Sequence, residues 1–87
     1  SMKHSIDFAQ LVHSLKVNIV WKDLNSVYIG ANQHFLDLPN LTEKTLAGKT
    51  DYDLTTPDLA KKIIENDQAV FSSHDTRVFH EYIIDNE

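Results

Sequence analysis

Apolar residues in the first third of the chain fall into two rhythms. Phe8, Leu11, Val12 and Leu15 recur at three- and four-residue spacing within residues 5–16, which predicts an amphipathic helix. Ser5 is placed to cap it, and Asp7 in the first turn complements the helix dipole. The rhythm then shortens. Residues 17–21 (VNIVW) and 27–29 (VYI) are β-branched and aromatic runs on either side of the polar stretch KDLNS, and this predicts a β-hairpin. Asn25 is the residue expected to take the left-handed conformation in its turn. Asn32 then precedes QHFLDL, a short helical pattern that it can cap and that Pro39-Asn40 ends.

Beyond this point the helical rhythm dominates. A second short helix is predicted over residues 42–48, with Thr42 as cap and Gly48 as stop. Thr45 stands where a full capping box has Glu or Gln, so the start is only moderately marked. Asp51-Tyr52-Asp53-Leu54 is read as a crossover into Thr55-Thr56-Pro57. Thr56 followed by Pro57, with Asp58 beside it, marks the start of a long helix over residues 57–72. Its apolar stripe is Leu59, Ala60, Ile63, Ile64, Val70 and Phe71, and Asp67 falls within that stripe. A carboxylate on a buried face needs a partner, because stranding it costs several kcal/mol. The backbone N–H groups of residues 49–53 are the expected partners, in a structural clasp between helix and loop. Residues 76–84 (TRVFHEYII) then alternate with neither face cleanly apolar, and predict a third strand.

The order strand, polar turn with Asp23, strand, Asn32 opening a helix, then GKTDYDL at residues 48–54 and a long helix, resembles a PAS domain. The resemblance covers residues 17 to about 84 and departs at Ser26, where the family often has Gly. It implies an α+β fold: an antiparallel sheet with short helices and one long helix on one face. An N-terminal amphipathic helix precedes it. Because the family's sheet has five strands, the chain is read as lacking the last two. Residues 1–16 are assigned to a tag scar (Ser1 before Met2) and the amphipathic helix, and residues 17–87 to a partial PAS domain of a larger protein. A sheet of three strands leaves an open edge, so a homodimer formed by strand exchange or addition is expected. Phe8, Leu11, Val12 and Leu15 are the candidate dimer interface, although the same stripe would also serve to pack on the chain's own sheet.

Composition narrows the chemistry. With 41% hydrophobic and 24% charged residues over 87 positions, the chain suits one globular domain. The net charge of −5 and the lack of a basic cluster disfavour nucleic acid. No apolar run approaches the length of a membrane span, and no signal-peptide pattern is present. Cysteine is absent, which excludes disulfides and thiolate metal sites.

His4, His13, His34, His74 and His80 show no metal-ligand spacing, and neither a phosphate loop nor a nucleophile elbow occurs. The fragment is therefore read as having no catalytic constellation. Asp51, Asp53 and Asp67 could gather oxygen ligands for a cation, but their spacing is not that of a calcium loop. His80 in the predicted strand is read as a half-buried histidine rather than a pH-sensitive group.

The remaining expectations come from the resemblance. It implies a small-molecule pocket walled by Ile19, Trp21, Ile29, Phe35, Leu46, Ile63, Ile64 and Val70, residues that would serve equally as a filled core. Asp23, Asn32, Asp51 and Asp67 are the structural polar positions. A flavin-cysteinyl adduct and a coumaroyl chromophore are excluded by the absence of Cys. Haem is disfavoured, since the family's haem binders use a His on the long helix and residues 57–72 have none. The family's usual role implies a cytoplasmic, bacterial-type sensory module. A two-component histidine kinase is its first output on family frequency, with a diguanylate cyclase or transcription regulator as other outputs. A ligand-free dimerisation module is the alternative.

Overall fold

The computed structural model describes residues 7–38 and 40–73. Ser5, Pro39, His4, His74, His80 and the strand expected over 76–84 lie outside the described residues. Helix α1 spans Phe8–Ser14, shorter than the sequence pattern. Asp7 is its N-cap rather than a first-turn residue, and its carboxylate accepts from the Gln10 N–H at 3.1 Å.

The hairpin consists of β1 (Val20–Lys22) and β2 (Tyr28–Ala31), antiparallel, with Val20 opposite Ala31 and Trp21 opposite Gly30. The strands sit one to three residues later than the apolar runs suggest. The register slips between Trp21 and Lys22, so that Lys22 comes opposite Tyr28. Ser26, not Asn25, takes the left-handed conformation, with φ of 62°. The cause is the geometry of the loop. Asp23 closes a turn by accepting from the Ser26 N–H at 3.0 Å, and the next residue to pair is Val27, whose carbonyl accepts from the Asp23 N–H at 2.9 Å. A turn of this length ends in one left-handed residue, and here that residue is Ser26. The Asp23 carboxylate holds the loop by accepting from the N–H groups of Asn25 and Val27, at 2.9 and 3.0 Å.

Helix α2 (Gln33–Asp37) follows, and the chain leaves it through Asn40 at φ 56° while the Leu41 N–H returns to the Leu36 carbonyl at 2.9 Å. Helix α3 (Glu43–Leu46) opens on Thr42. Thr45 completes a capping box after all: its hydroxyl accepts from the Thr42 N–H at 3.0 Å, doing what Glu would do. Gly48, at φ 86°, stops the element as expected. The segment read as a crossover is instead a helical turn, α4 (Asp51–Leu54), whose start is fixed by Asp53 accepting from the Thr50 N–H at 2.9 Å. Four residues are too few for periodicity to reveal. Helix α5 (Pro57–Ser73) matches the predicted long helix closely.

The core lies between the hairpin and the short helices. Tyr28, Ala31, Phe35, Leu36 and Leu46 form one buried cluster, with Leu41 and Leu54 packed on its margin. The rings of Tyr28 and Phe35 stack with centroids 5.9 Å apart. Backbone bonds sew the α3–α4 loop to β2, since the Gly48 N–H donates to the Tyr28 carbonyl and the Tyr28 N–H to the Lys49 carbonyl. Helix α5 packs mainly against α4, and among the described residues it gives no side chain to the core cluster. Its stripe residues Leu59, Ile63, Ile64, Val70 and Phe71 are half-buried, and Ala60 is buried.

Candidate functional site

Two polar side chains at the ends of the hairpin organise the domain. The first is Asn32, fully buried where β2 meets α2. Its side-chain oxygen accepts from the Phe35 N–H at 3.2 Å, capping α2, and from the Ile19 N–H at 3.1 Å. Its amide nitrogen faces the carbonyl oxygens of Val12 (3.1 Å), Leu15 (3.4 Å) and Val17 (2.7 Å). Val12 and Leu15 lie at the C-terminal end of α1, where carbonyls lack partners within the helix. One asparagine thus caps the start of α2 and receives the end of α1. Its predicted capping role holds, and the link to α1 is additional.

The second is Lys22, whose side chain is 5% exposed. Its ammonium lies 2.7 Å from Asp51 Oδ2 and 2.7 Å from Asp67 Oδ2, and 4.6 Å from the centre of the Tyr28 ring. The Tyr28 hydroxyl donates to Asp51 Oδ1 at 2.6 Å. Both Asp51 oxygens are therefore engaged, and the buried cation gains a favourable ring face as well. The expected clasp exists, but its partner is a lysine on the hairpin rather than backbone N–H groups of residues 49–53. Desolvation decides this, because a half-buried carboxylate on α5 needs a full opposite charge more than it needs amide dipoles. Next to it, Gln68 donates to the Leu24 carbonyl and the Ser26 hydroxyl, each at 3.2 Å.

Lys22 and Tyr28 were not singled out from the sequence. The signal was the carboxylate stranded on the α5 stripe, which called for a cation. Lys22 stands at the hairpin end of β1, and its inward orientation follows from the slip in register, which the residue pattern does not reveal.

Asp53 is exposed and holds Thr50, and among the described residues no group of three or more His, Asp or Glu side chains could hold a metal ion. The ammonium of Lys22 occupies the space between Asp51 and Asp67 that such an ion would need. The eight residues expected to wall a pocket are placed unevenly. Phe35 and Leu46 are buried, Ile19, Ile63, Ile64 and Val70 are half-buried, and Trp21 and Ile29 are exposed. Trp21 lies over Gly30, where a Cβ would come within 2.6 Å of the indole nitrogen.

A cleft of about 370 Å³ opens elsewhere, lined by His13, Gln33, Leu36, Leu41, Thr42 and Glu43. The Nδ1 atom of His13 is buried and has no hydrogen-bond partner among the described residues. On α1, Phe8 is 71% exposed and Leu11 42%, while Val12 is half-buried; Leu15, the C-cap residue, is 40% exposed.

An antiparallel hairpin, short helices around it and one long helix make an α+β domain. A family model described as the PAS fold matches residues 12–87, and the chain belongs to that family. In kind it is a sensory or signalling input domain. No curated protein and no solved structure matches the chain. Among the described residues no helix is long and apolar enough to cross a membrane.

Proposed function

We propose that this domain is the input module of a larger signalling protein, and that it works by pairing with a second copy along α1. The observation that carries this reading is the exposure of Phe8 and Leu11 on a helix that buries no residue of its own, with Leu15 exposed at its C-cap. Apolar side chains left at that exposure favour association, because covering them returns roughly 25 cal/mol per Å². Asn32 supports the reading, since it ties α1 to β1 and α2, so a change in how α1 is paired reaches the core directly. A signal would act by favouring one packing arrangement over another. The parent protein is a cytoplasmic histidine kinase of a bacterial two-component system on this reading, and the domain itself does no chemistry.

The test is the double substitution Leu11→Asp with Leu15→Asp, followed by sedimentation. A paired wild type and a monomeric, folded variant are expected. Survival of the dimer would show that α1 is not its main interface.

A second reading, the sensing of a small organic molecule, is favoured by the cleft beside His13. It sets Leu36 and Leu41 among the polar side chains of Gln33, Thr42 and Glu43, and has beside it a buried imidazole nitrogen without a partner among the described residues. In that case a hydrogen-bonding group on the ligand would satisfy His13, and His13→Phe would abolish retention of the molecule without unfolding the chain.

A further inference from the structure

We infer that Lys22, Asp51 and Asp67 form a release latch, in which Asp67 is the arm that lets go and Asp51 the arm that stays. The two carboxylates are not equivalent. Asp51 is 3% exposed at its side chain, sits at the first residue of α4 and has one oxygen on Lys22 and the other on the Tyr28 hydroxyl. Asp67 is 22% exposed and is carried by α5, a helix that contributes nothing to the core cluster among the described residues.

Charge favours the same division. The closed cluster holds one ammonium and two carboxylates, an excess of one negative charge in a buried place. When Asp67 leaves, a balanced Lys22–Asp51 pair remains with its tyrosine, and the surplus carboxylate returns to water. No buried charge is stranded, so the large penalty for breaking a buried pair is avoided. The neighbouring tie is of the same kind. Gln68 holds the hairpin loop through an exposed side chain, and water can replace both of its bonds.

The fold also sets where the motion occurs. Ala60 in the first turn of α5 is buried and the helix packs against α4, whereas residues 67 and 68 reach the hairpin through polar contacts. Release therefore frees the second half of α5 and leaves the hairpin, α2 and α3 in place. The half-buried residues Val70 and Phe71 become available as it moves. A signal needs only a differential affinity for the released or the closed state to shift this equilibrium. The latch stands apart from α1 pairing, and the two can fail separately.

Hydrogen–deuterium exchange of the 87-residue chain tests the latch, with protein concentration fixed so that one oligomeric state is present throughout. Asp67→Asn is expected to speed exchange of the amides of residues 67–73 on the order of tenfold, the scale of a lost charge-assisted hydrogen bond. The amides of β1, β2 and α2 should not change. Asp51→Asn should speed exchange in the core and in α5 together. In the wild type, the amides of residues 67–73 should exchange through an opening that leaves β1, β2 and α2 protected. Uniform acceleration by Asp67→Asn would make Asp67 a general stabiliser and overturn the latch. So would unchanged α5 amides, or a wild type in which α5 exchanges only together with the hairpin, an outcome that can be read even if a variant fails to fold.

Discussion

Ser26 shows how one residue can serve two demands at once. Its backbone is left-handed, at φ 62°, which costs a side-chain-bearing residue roughly 1 kcal/mol, while its buried hydroxyl accepts from Gln68. Ser26→Ala keeps the strain and loses the hydrogen bond, whereas Ser26→Gly loses the bond and relieves the strain. Chemical denaturation should therefore find the glycine variant more stable than the alanine variant by about 1 kcal/mol. If the alanine variant were the more stable, the left-handed assignment would be wrong.

Gly30 is constrained for a different reason, since the Trp21 indole occupies the space of its missing Cβ. Gly30→Ala should displace the ring, change the tryptophan emission and destabilise by about 1–3 kcal/mol. Lys22 makes the largest prediction at this scale. Lys22→Met leaves two carboxylates facing each other without a cation and should lower stability by about 3–5 kcal/mol, enough to unfold much of a small domain.

Among the elements, the join between α1 and the hairpin decides how the N-terminal helix communicates. Asn32→Asp keeps an oxygen for Phe35 and Ile19 but replaces the donor that faces the carbonyls of Val12, Leu15 and Val17 with a carboxylate oxygen. The expected outcome is a retained α2 and a detached α1, with amide exchange rising in residues 8–14 before the rest of the chain. Equal loss throughout would mean that Asn32 supports the core alone.

Helices with signals at their ends were legible in the residues: Asn32 for α2, Thr42 and Gly48 for α3, Thr56-Pro57 for α5. Those signals are local, and local chemistry determines them. Helix α4 carries a local signal of the same kind, Thr50 and Asp53 at capping-box spacing, which reading the segment as a crossover passes over. The turn went to Ser26 rather than Asn25 because loop length outranks the intrinsic preference of asparagine. Asp67 was legible as a carboxylate in need of a partner, but its partner was not. Lys22 and Asp67 are 45 positions apart, and only the folded chain brings them together.

At the scale of the whole molecule, two halves are held in different ways. The hairpin and short helices share an apolar core, while α5 is joined to the hairpin by an ion cluster and a glutamine. An apolar core resists partial opening, whereas polar ties exchange readily with water, so the least stable cooperative unit should be the second half of α5. Helix α1 leaves Phe8 and Leu11 exposed, and Leu15 at its C-cap is exposed as well. On the proposed reading, a releasable α5 and a pairing α1 would let a change of packing pass from one copy to another.

The central claim is that two copies associate through α1, and native mass spectrometry of the purified chain tests it most directly. The account predicts a mass of two chains for the wild type and of one chain for the variant carrying Leu11→Asp and Leu15→Asp. A wild type that is a stable monomer across the accessible concentration range would contradict it.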